Sequence, residues 1–432
     1  MPRGRHHLSS GFHLRKDYCY ALRSALTSSL WRTQNFPFIW ISGWISGIGD
    51  WVLAIALPLY LFASSSSPLL IGGWFLAVTL PRLAISLLAG SWIDQGFPQQ
   101  YLVLAHLARG IAVALLPFIP LPSSLPLFYS FGAILGAFGA LGDIASGVWL
   151  PQVVGESQIT AAAGWQAASW ELTRLFAPPL GGFLYVWGGF AAVTWLDSAT
   201  FFLAAAGLAC VRASSSPQKT RQHRAEVRWL KGMAIMYHSP SLRSLATLTL
   251  GVGMAEGVIA VVGVPWLVTA LHGGGVERGW LATAQGIGGL LGGWWTARSA
   301  QSHRMGWAFL AFGCLSLALT WGVTIPMPYA LQWGFALLIK GVSGIPLVIG
   351  TVRLRAALIS SSEASVRGRI LGTSMLLEQG GMALGQALGS LSANLWGVLP
   401  ALSFQGGIYL LLSRCSPPQA SSERSPDHGS SS

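Results

Sequence analysis

Four carboxylates stand near the middle of long apolar runs: Asp50, Glu171, Glu256 and Glu378. A charged carboxylate in hydrocarbon costs roughly 2.5–3.5 kcal/mol even on the mildest insertion scale. Such residues either satisfy one another as structural pairs or face a water-lined path where they meet protons and substrates. Asp50 lies midway along the first apolar run of the chain's first half, and Glu256 midway along the first run of its second half. Glu171 and Glu378 occupy the fifth run of each half. A carboxyl on such a path can be neutralised by a proton or by a cationic group, but not by both at once. That is what exchanging one for the other requires.

The elements that must position these groups are membrane helices. Of the 432 residues, 52% are hydrophobic and only 9% charged, against about 25% charged in a soluble domain. Twelve apolar stretches follow one another, at about 36–63, 68–91, 101–120, 124–148, 158–187, 189–211, 243–271, 276–299, 304–325, 328–350, 368–396 and 399–412. Most reach the ~20 residues a spanning helix needs. The runs are continuous rather than alternating, which excludes barrel strands. The expected fold is therefore all-α and integral to the membrane.

The net charge of +12 invites a nucleic-acid reading, but its distribution does not support one. Of 26 Lys and Arg, 21 fall on the side of the N-terminus and four lie within spans (Arg82, Arg109, Arg174, Lys340). Arg278 alone lies on the far side. This bias predicts both termini in the cytoplasm, in a bacterial-type inner membrane. The far-side loops are short and nearly uncharged, leaving no external domain. Four scattered cysteines argue against a disulfide framework or a zinc site, and no cofactor is expected. The residues divide into an N-terminal extension (1–35), a first six-helix unit (36–211), a basic linker (212–242), a second unit (243–412) and a Ser-rich tail (413–432) expected to be disordered. Residues 1–29 lack the apolar core of a secretory signal. A lipid-bound tail, a transit segment and an overlong start remain open for them. In the linker, Trp229, Leu230, Met233, Ile235 and Met236 point to either an interfacial helix or a solvated connection.

The halves repeat. Asp50 precedes Pro58, and Glu256 precedes Pro265, at nearly equal spacing. Gly73-Trp74 leads to Gly90 as Gly279-Trp280 leads to Gly293. Glu171 stands before Gly182 as Glu378 stands before Gly389. Duplication of this kind builds many transporters. Glycines also fall in register, as in Gly381, Gly385 and Gly389, and Pro178-Pro179 with Gly181-Gly182 should kink the fifth span. Twenty tryptophans serve mainly as interface anchors, although Trp44, Trp51, Trp266 and Trp295 lie near the acids.

The segments "WRTQNFPFIWISGWISGIGDW", "LPRLAISLLAGSWID", "RLFAPPLGGFLYVWGGFAAVTWLDSATFFLAA" and "SVRGRILG" together resemble the major facilitator superfamily over about residues 30–412. Within it they look like the bacterial branch of enterobactin exporters and macrolide-efflux-type permeases. The match rests on Pro178, Pro179, Gly181, Gly182, Asp197, Ala199, Thr200 and Phe201, and on Arg367-Gly368-Arg369. The family's loop between spans two and three keeps Gly90 and Asp94 but has Gln95, Gln99 and Gln100 where basic residues are usual. The corresponding second-half loop has Arg298 and Arg304 without an acid. The resemblance implies two pseudo-symmetric six-helix bundles around a cavity lined by spans one, four, seven and ten. It carries Asp50, Asp143, Glu256 and Lys340 towards a water-accessible path. Glu256 and Lys340 are expected to face each other, and Arg82, Arg109, Arg174, Asp143 and Glu171 to form one buried ion network.

These features predict a monomeric, proton-coupled exporter of a small hydrophobic or amphipathic molecule, drug- or siderophore-like, whose partners are that substrate, protons and lipid. A passive facilitator or importer of the same fold is the alternative, and a membrane interaction protein the non-transport one. An ATP-driven pump lacks its phosphate loop, since none of the four lysines follows a glycine. A membrane enzyme would need clustered His or acids, and His106 is the sole histidine within a span.

Overall fold

The computed structural model describes residues 30, 35–93, 97–155, 158–211, 228–298, 305–363 and 366–415. The described elements are helical. In the first half they are α1 (Phe36–Ser65), α2 (Pro68–Ile93), α3 (Pro98–Leu115) and α4 (Leu125–Val154). A stretch then runs Ile159–Ala209 and breaks at Gly189, whose φ of 68° leaves the helical region; its parts are α5 (159–188) and α6 (190–209). A linker helix α7 (Arg228–His238) leads to α8 (Pro240–Ala270), α9 (Gly275–Arg298), α10 (Met305–Gly322), α11 (Tyr329–Ser360), α12 (Arg367–Trp396) and α13 (Val398–Arg414). Prolines open α1, α3, α4 and α8, where a missing N–H costs nothing.

Twelve of these helices form two six-helix bundles. Among the described residues, eight helices are long and apolar enough to cross a membrane, counting Ile159–Ala209 as one. The remaining three are α9, α12 and α13. α9 is rich in Gly, α12 in Gly, Ser and Gln, and α13 has 17 residues. The sequence places the last span at 399–412, and α13 extends it at both ends.

The two halves repeat helix pair by helix pair. α1 packs on α5 and α6 as α8 packs on α12 and α13; α2 packs on α4 as α9 packs on α11. Equivalent glycines make the seams. A Cβ on Gly136 would collide with the Val78 carbonyl between α4 and α2, and one on Gly344 with the Gln285 carbonyl between α11 and α9. Gly181 lies against the Val52 backbone, and Gly389 against Val258. Even the breaks match. Gly189 divides α5 from α6 at φ 68°, and Gly397 divides α12 from α13 at φ 89°, both in the region that favours glycine.

An even number of crossings puts the two described ends on one side, called here the terminal side. The bundles meet mainly through α5 with α9 and α2 with α12. The closest approaches lie in the half away from the termini. Gly182 meets the Gly275 carbonyl, Gly279 meets Pro178 and Pro179, and Gly72 meets Ser390. There Arg278 of α9 donates from Nη1 to the Ile55 carbonyl of α1 at 2.9 Å. Pro58, three residues on, disturbs the α1 hydrogen bonds at that level. Towards the terminal side, Trp170, Glu171, Leu172 and Met375 are exposed. The assembly is thus closed on the far side and open on the terminal side.

The linker helix takes a third course beyond the two read from its sequence. α7 docks on the second bundle, with Met236 buried in its core and Gly232 tight against Thr373 of α12. Met233 and Tyr237 stay exposed; the side chains of Trp229 and Leu230 lie outside the described residues, as do the tail from 416 and residues 1–29.

Gly136→Val and Gly344→Val are each expected to destabilise by about 1–3 kcal/mol, read as a lower unfolding midpoint in detergent. Gly147 has open space around it. Gly147→Ala should leave the midpoint unchanged or raise it, since Ala exceeds Gly in helix propensity by roughly 1 kcal/mol.

Candidate functional site

The first bundle holds a cluster of charges at mid-depth where α1, α3 and α6 meet. Arg109 Nη2 of α3 donates to Asp50 Oδ1 of α1 at 2.5 Å. The guanidinium also lies over the Phe201 ring of α6, 4.2 Å from its centroid. A charge-assisted pair is among the stronger hydrogen bonds, and a ring face under the cation adds to it. One helical turn before Phe201 stands Asp197, fully buried, with Thr200 Oγ1 3.4 Å from its Oδ1. Its Oδ2 has no protein partner, and neither has Arg109 Nε. Gly49 makes the cluster possible, because a Cβ there would occupy the space of Asp197 Oδ1 and Thr200 Oγ1. Asp50 itself is 42% exposed, so the cluster reaches from a buried acid to an accessible one.

The second bundle repeats this frame with different chemistry. Glu256 of α8 stands at the level of Asp50 and accepts a hydrogen bond from Tyr409 Oη of α13 at 3.2 Å. Tyr409 is the repeat counterpart of Phe201, counted from the Gly189 and Gly397 breaks. On the same count Gln405 replaces Asp197, and Leu317 falls where Arg109 stands. Ser316 Oγ donates to Gln405 Oε1 at 3.2 Å. The buried acid Asp197 of the first bundle thus has a neutral, buried counterpart in the second. Lys340 of α11, Arg174 of α5 and Glu378 of α12 all lie within electrostatic range of Glu256. Arg174 belongs to the other bundle, so this group spans the central opening.

The expected five-residue network does not form. Arg82 pairs with Asp143 between α2 and α4, and Arg109 pairs with Asp50 rather than with Asp143. Glu171 is exposed on the turn of α5 before Arg174, towards the open terminal side. Arg109 and Asp143 stand on neighbouring helices, α3 and α4, but each is taken by another partner. Glu256 and Lys340 do approach each other, though not to within the 4 Å of an ion pair, and Tyr409 holds the carboxylate instead.

Of the expected gating residues, Arg298 stacks on Trp294 of its own helix at 4.0 Å. Gly90 lies within α2, its surroundings outside the described residues, as are Asp94 and Arg304. Pro178, Pro179, Gly181 and Gly182 lie on the α5 seams, and Gly381, Gly385 and Gly389 along α8. Trp266 is buried and Trp295 exposed, on different helices, while Trp51 meets Trp170 edge-on at 6.0 Å. His106 Nδ1 is 2.8 Å from the Leu102 carbonyl of its own helix. A cavity of about 700 Å³ at the far end of the second bundle, lined by Thr269, Val323, Gln332 and Trp396, carries no charge and is separate from this path.

The sequence alone places Arg109 in a buried ion network with the wrong acid and does not single out Asp197 and Tyr409 as site residues. A signal for Asp197 exists, as an acid inside an apolar span, but its place in a family motif masks it. The count between the two glycine breaks pairs Phe201 with Tyr409.

Residues 39–386 match the family described as Major Facilitator Superfamily. An uncharacterised MFS-type transporter of Sinorhizobium fredii, y4rN, is 26% identical over 375 residues, 80% of this chain and 85% of that one. YfiS of Bacillus subtilis, also an uncharacterised MFS-type transporter, is 22% identical over 228 residues, 50% of this chain and 54% of that one. Among solved structures, the nucleoside transporter NupG aligns with a TM-score of 0.68 at 11% identity, covering 88% of this chain and 98% of that one. A bacterial homologue of the iron transporter ferroportin, in an inward-facing state, aligns at 0.66 with 16% identity, covering 89% and 100%. These are likenesses of fold. With the family matched over most of its length and two repeated six-helix bundles, the chain belongs to the Major Facilitator Superfamily and is a membrane transporter.

Proposed function

We propose that the protein is a proton-coupled exporter of a small hydrophobic or amphipathic molecule, of the drug or siderophore kind, working as a monomer. The carrying observation is that the repeat puts one acid at the same mid-depth level of each bundle, Asp50 and Glu256, and gives each a single close partner, Arg109 or Tyr409. Each acid can therefore be released by neutralising it. Glu171, Asp143, Lys340 and Glu378 are assigned supporting roles along the same opening, and Gly90, Asp94 and Arg298 a role in gating. The positive-inside bias supports cytoplasmic termini in a plasma membrane; on that reading the open side is the cytoplasmic one, ready to load for export.

The magnitudes suffice. One proton crossing 100 mV supplies about 2.3 kcal/mol, and one pH unit adds about 1.4 kcal/mol. Together they support accumulation of roughly several hundredfold at one proton per substrate. The fold is shared with proteins whose names specify nucleoside or iron transport, so direction and cargo have to be measured on this protein.

The deciding experiment is a susceptibility and accumulation screen in a deletion strain, across siderophores, macrolides and lipophilic cations, with and without an uncoupler. Export should be uphill and abolished by the uncoupler; downhill flux insensitive to it identifies a facilitator, and uptake an importer. Asp50→Asn and Glu256→Gln proteins that insert normally should each lose the uphill gradient by about tenfold or more, about 1.4 kcal/mol of coupling. Full uphill transport by both would remove the proton role from these acids. In a cysteine-free background, a cysteine at Ser66 should react with an impermeant maleimide added outside intact cells, and one at Ser361 should not. The opposite pattern would invert the proposed topology.

A further inference from the structure

Among the described residues, the mid-depth cluster of the first bundle holds two acids and one cation. Asp197 is fully buried and its Oδ2 meets no donor. The cation nearest to it, Arg109, is already bonded to Asp50 at 2.5 Å, and Arg109 Nε is itself buried without a partner. The other groups facing this point do not supply the missing charge. His106, on α3, has its Nδ1 against the Leu102 carbonyl, and its ring meets Phe201 edge-on. Asp143 on α4 and Arg82 on α2 neutralise each other. Thr200, on α6 itself, offers one hydroxyl at 3.4 Å, and that hydroxyl is also 2.7 Å from the Asp197 carbonyl. Two acids therefore share one guanidinium. An isolated buried carboxylate is among the most costly groups a protein can hold, so the excess charge calls for one further positive charge.

We infer that Asp50, Arg109 and Asp197 form a binding site for a single monovalent cation, held at Asp197, with Arg109 as the group that changes partner when it leaves. A proton is the occupant the site favours: among the described residues Thr200 Oγ1 approaches Oδ1 at 3.4 Å and Oδ2 is buried without a partner, too few oxygens to coordinate a metal ion. The step balances. The proton leaves Asp197 as Arg109 turns from Asp50 to Asp197, and Asp50, now without its cation and 42% exposed, receives it and passes it to water. The charge in the cluster is the same before and after the transfer. Sodium is the competing source of the same charge, and it would be released without passing through Asp50.

The site deepens the exchange mechanism proposed above, but its occupancy can be read without any substrate. Infrared spectra of the full-length protein in detergent, titrated with pH, should show a buried carboxylic-acid C=O band that disappears as pH rises. Asp197→Asn should abolish that band and Glu256→Gln should keep it. Asp197→Glu should move it, which preserves the test if the Asn protein does not fold. Arg109→Gln leaves both acids without a cation and should strengthen it. In the second arm, thermal unfolding is followed in sodium, potassium and choline chloride at a pH where the band is absent. Stabilisation by sodium alone, lost in Asp197→Asn, would make sodium the occupant of the same site. An acid band that survives Asp197→Asn, or the absence of both band and sodium effect, overturns the inference. In that case uncoupler-sensitive export lost in Glu256→Gln would still leave the exchange mechanism standing on the second bundle, whereas absence of uphill transport would remove it whatever the spectra show.

Discussion

Lipid rewards a helix little for hiding its apolar face, so this fold depends on backbone meeting backbone. The seams show what that demands. Gly136 sits on the Val78 carbonyl, Gly344 on the Gln285 carbonyl, and Gly182 on the Gly275 carbonyl, distances at which no side chain fits. A single methyl would separate the helices, and the dispersion attraction on either side would be lost together. Many of the 53 glycines sit at such seams. Glycine weakens a helix in water. In a membrane, where unpaired backbone is forbidden and helix is the default, that penalty is small beside the stabilisation close packing contributes.

Duplication explains the rest of the architecture and also where chemistry was free to diverge. The glycine seams had to be kept in both halves, because they hold each bundle together. The polar positions beside them did not. Asp197 is a buried acid in one half, while Gln405 fills the same place in the other and accepts a neutral hydrogen bond from Ser316. Phe201 presents a ring to a cation, and Tyr409 adds a hydroxyl that holds Glu256. One bundle carries its acids beside a guanidinium; the other carries its acid against a phenol, with Lys340 and Arg174 at longer range.

Most of the architecture is legible because membrane helices announce themselves by length and apolarity, and α1, α8 and their acids stand out directly. Matching spacings from Asp50 to Pro58 and from Glu256 to Pro265 reveal the repeat. The partners are not legible. Nothing local in the sequence says that Arg109 meets Asp50 rather than Asp143, since α3 packs on α4, which carries Asp143, and on α6, and reaches α1 through the Arg109 side chain. Asp197 is hidden for the opposite reason. It reads as a family motif residue, and only the collision a Cβ on Gly49 would cause reveals how tightly it is enclosed. The course of α7 is equally out of reach, because its apolar strip suits lipid as well as protein and the docking of Met236 is a tertiary fact.

The far-side closure ties the seams to the charges. For the bundles to part there, Arg278 must leave the Ile55 carbonyl, and a guanidinium without an acceptor in a buried position is costly. The same movement must separate Gly182 from Gly275 and Gly72 from Ser390, contacts that the repeat places on opposite flanks of the opening. They cannot yield one at a time without bending a helix. The exchange proposed above would therefore require a rocking of whole bundles, with α1 at its centre. α1 carries Asp50 towards the opening, packs on α6 and its Asp197 through Gly49, and offers the Ile55 carbonyl to Arg278 beside Pro58. A change of charge at Asp50 acts on the same helix, five residues from the contact that closes the far side.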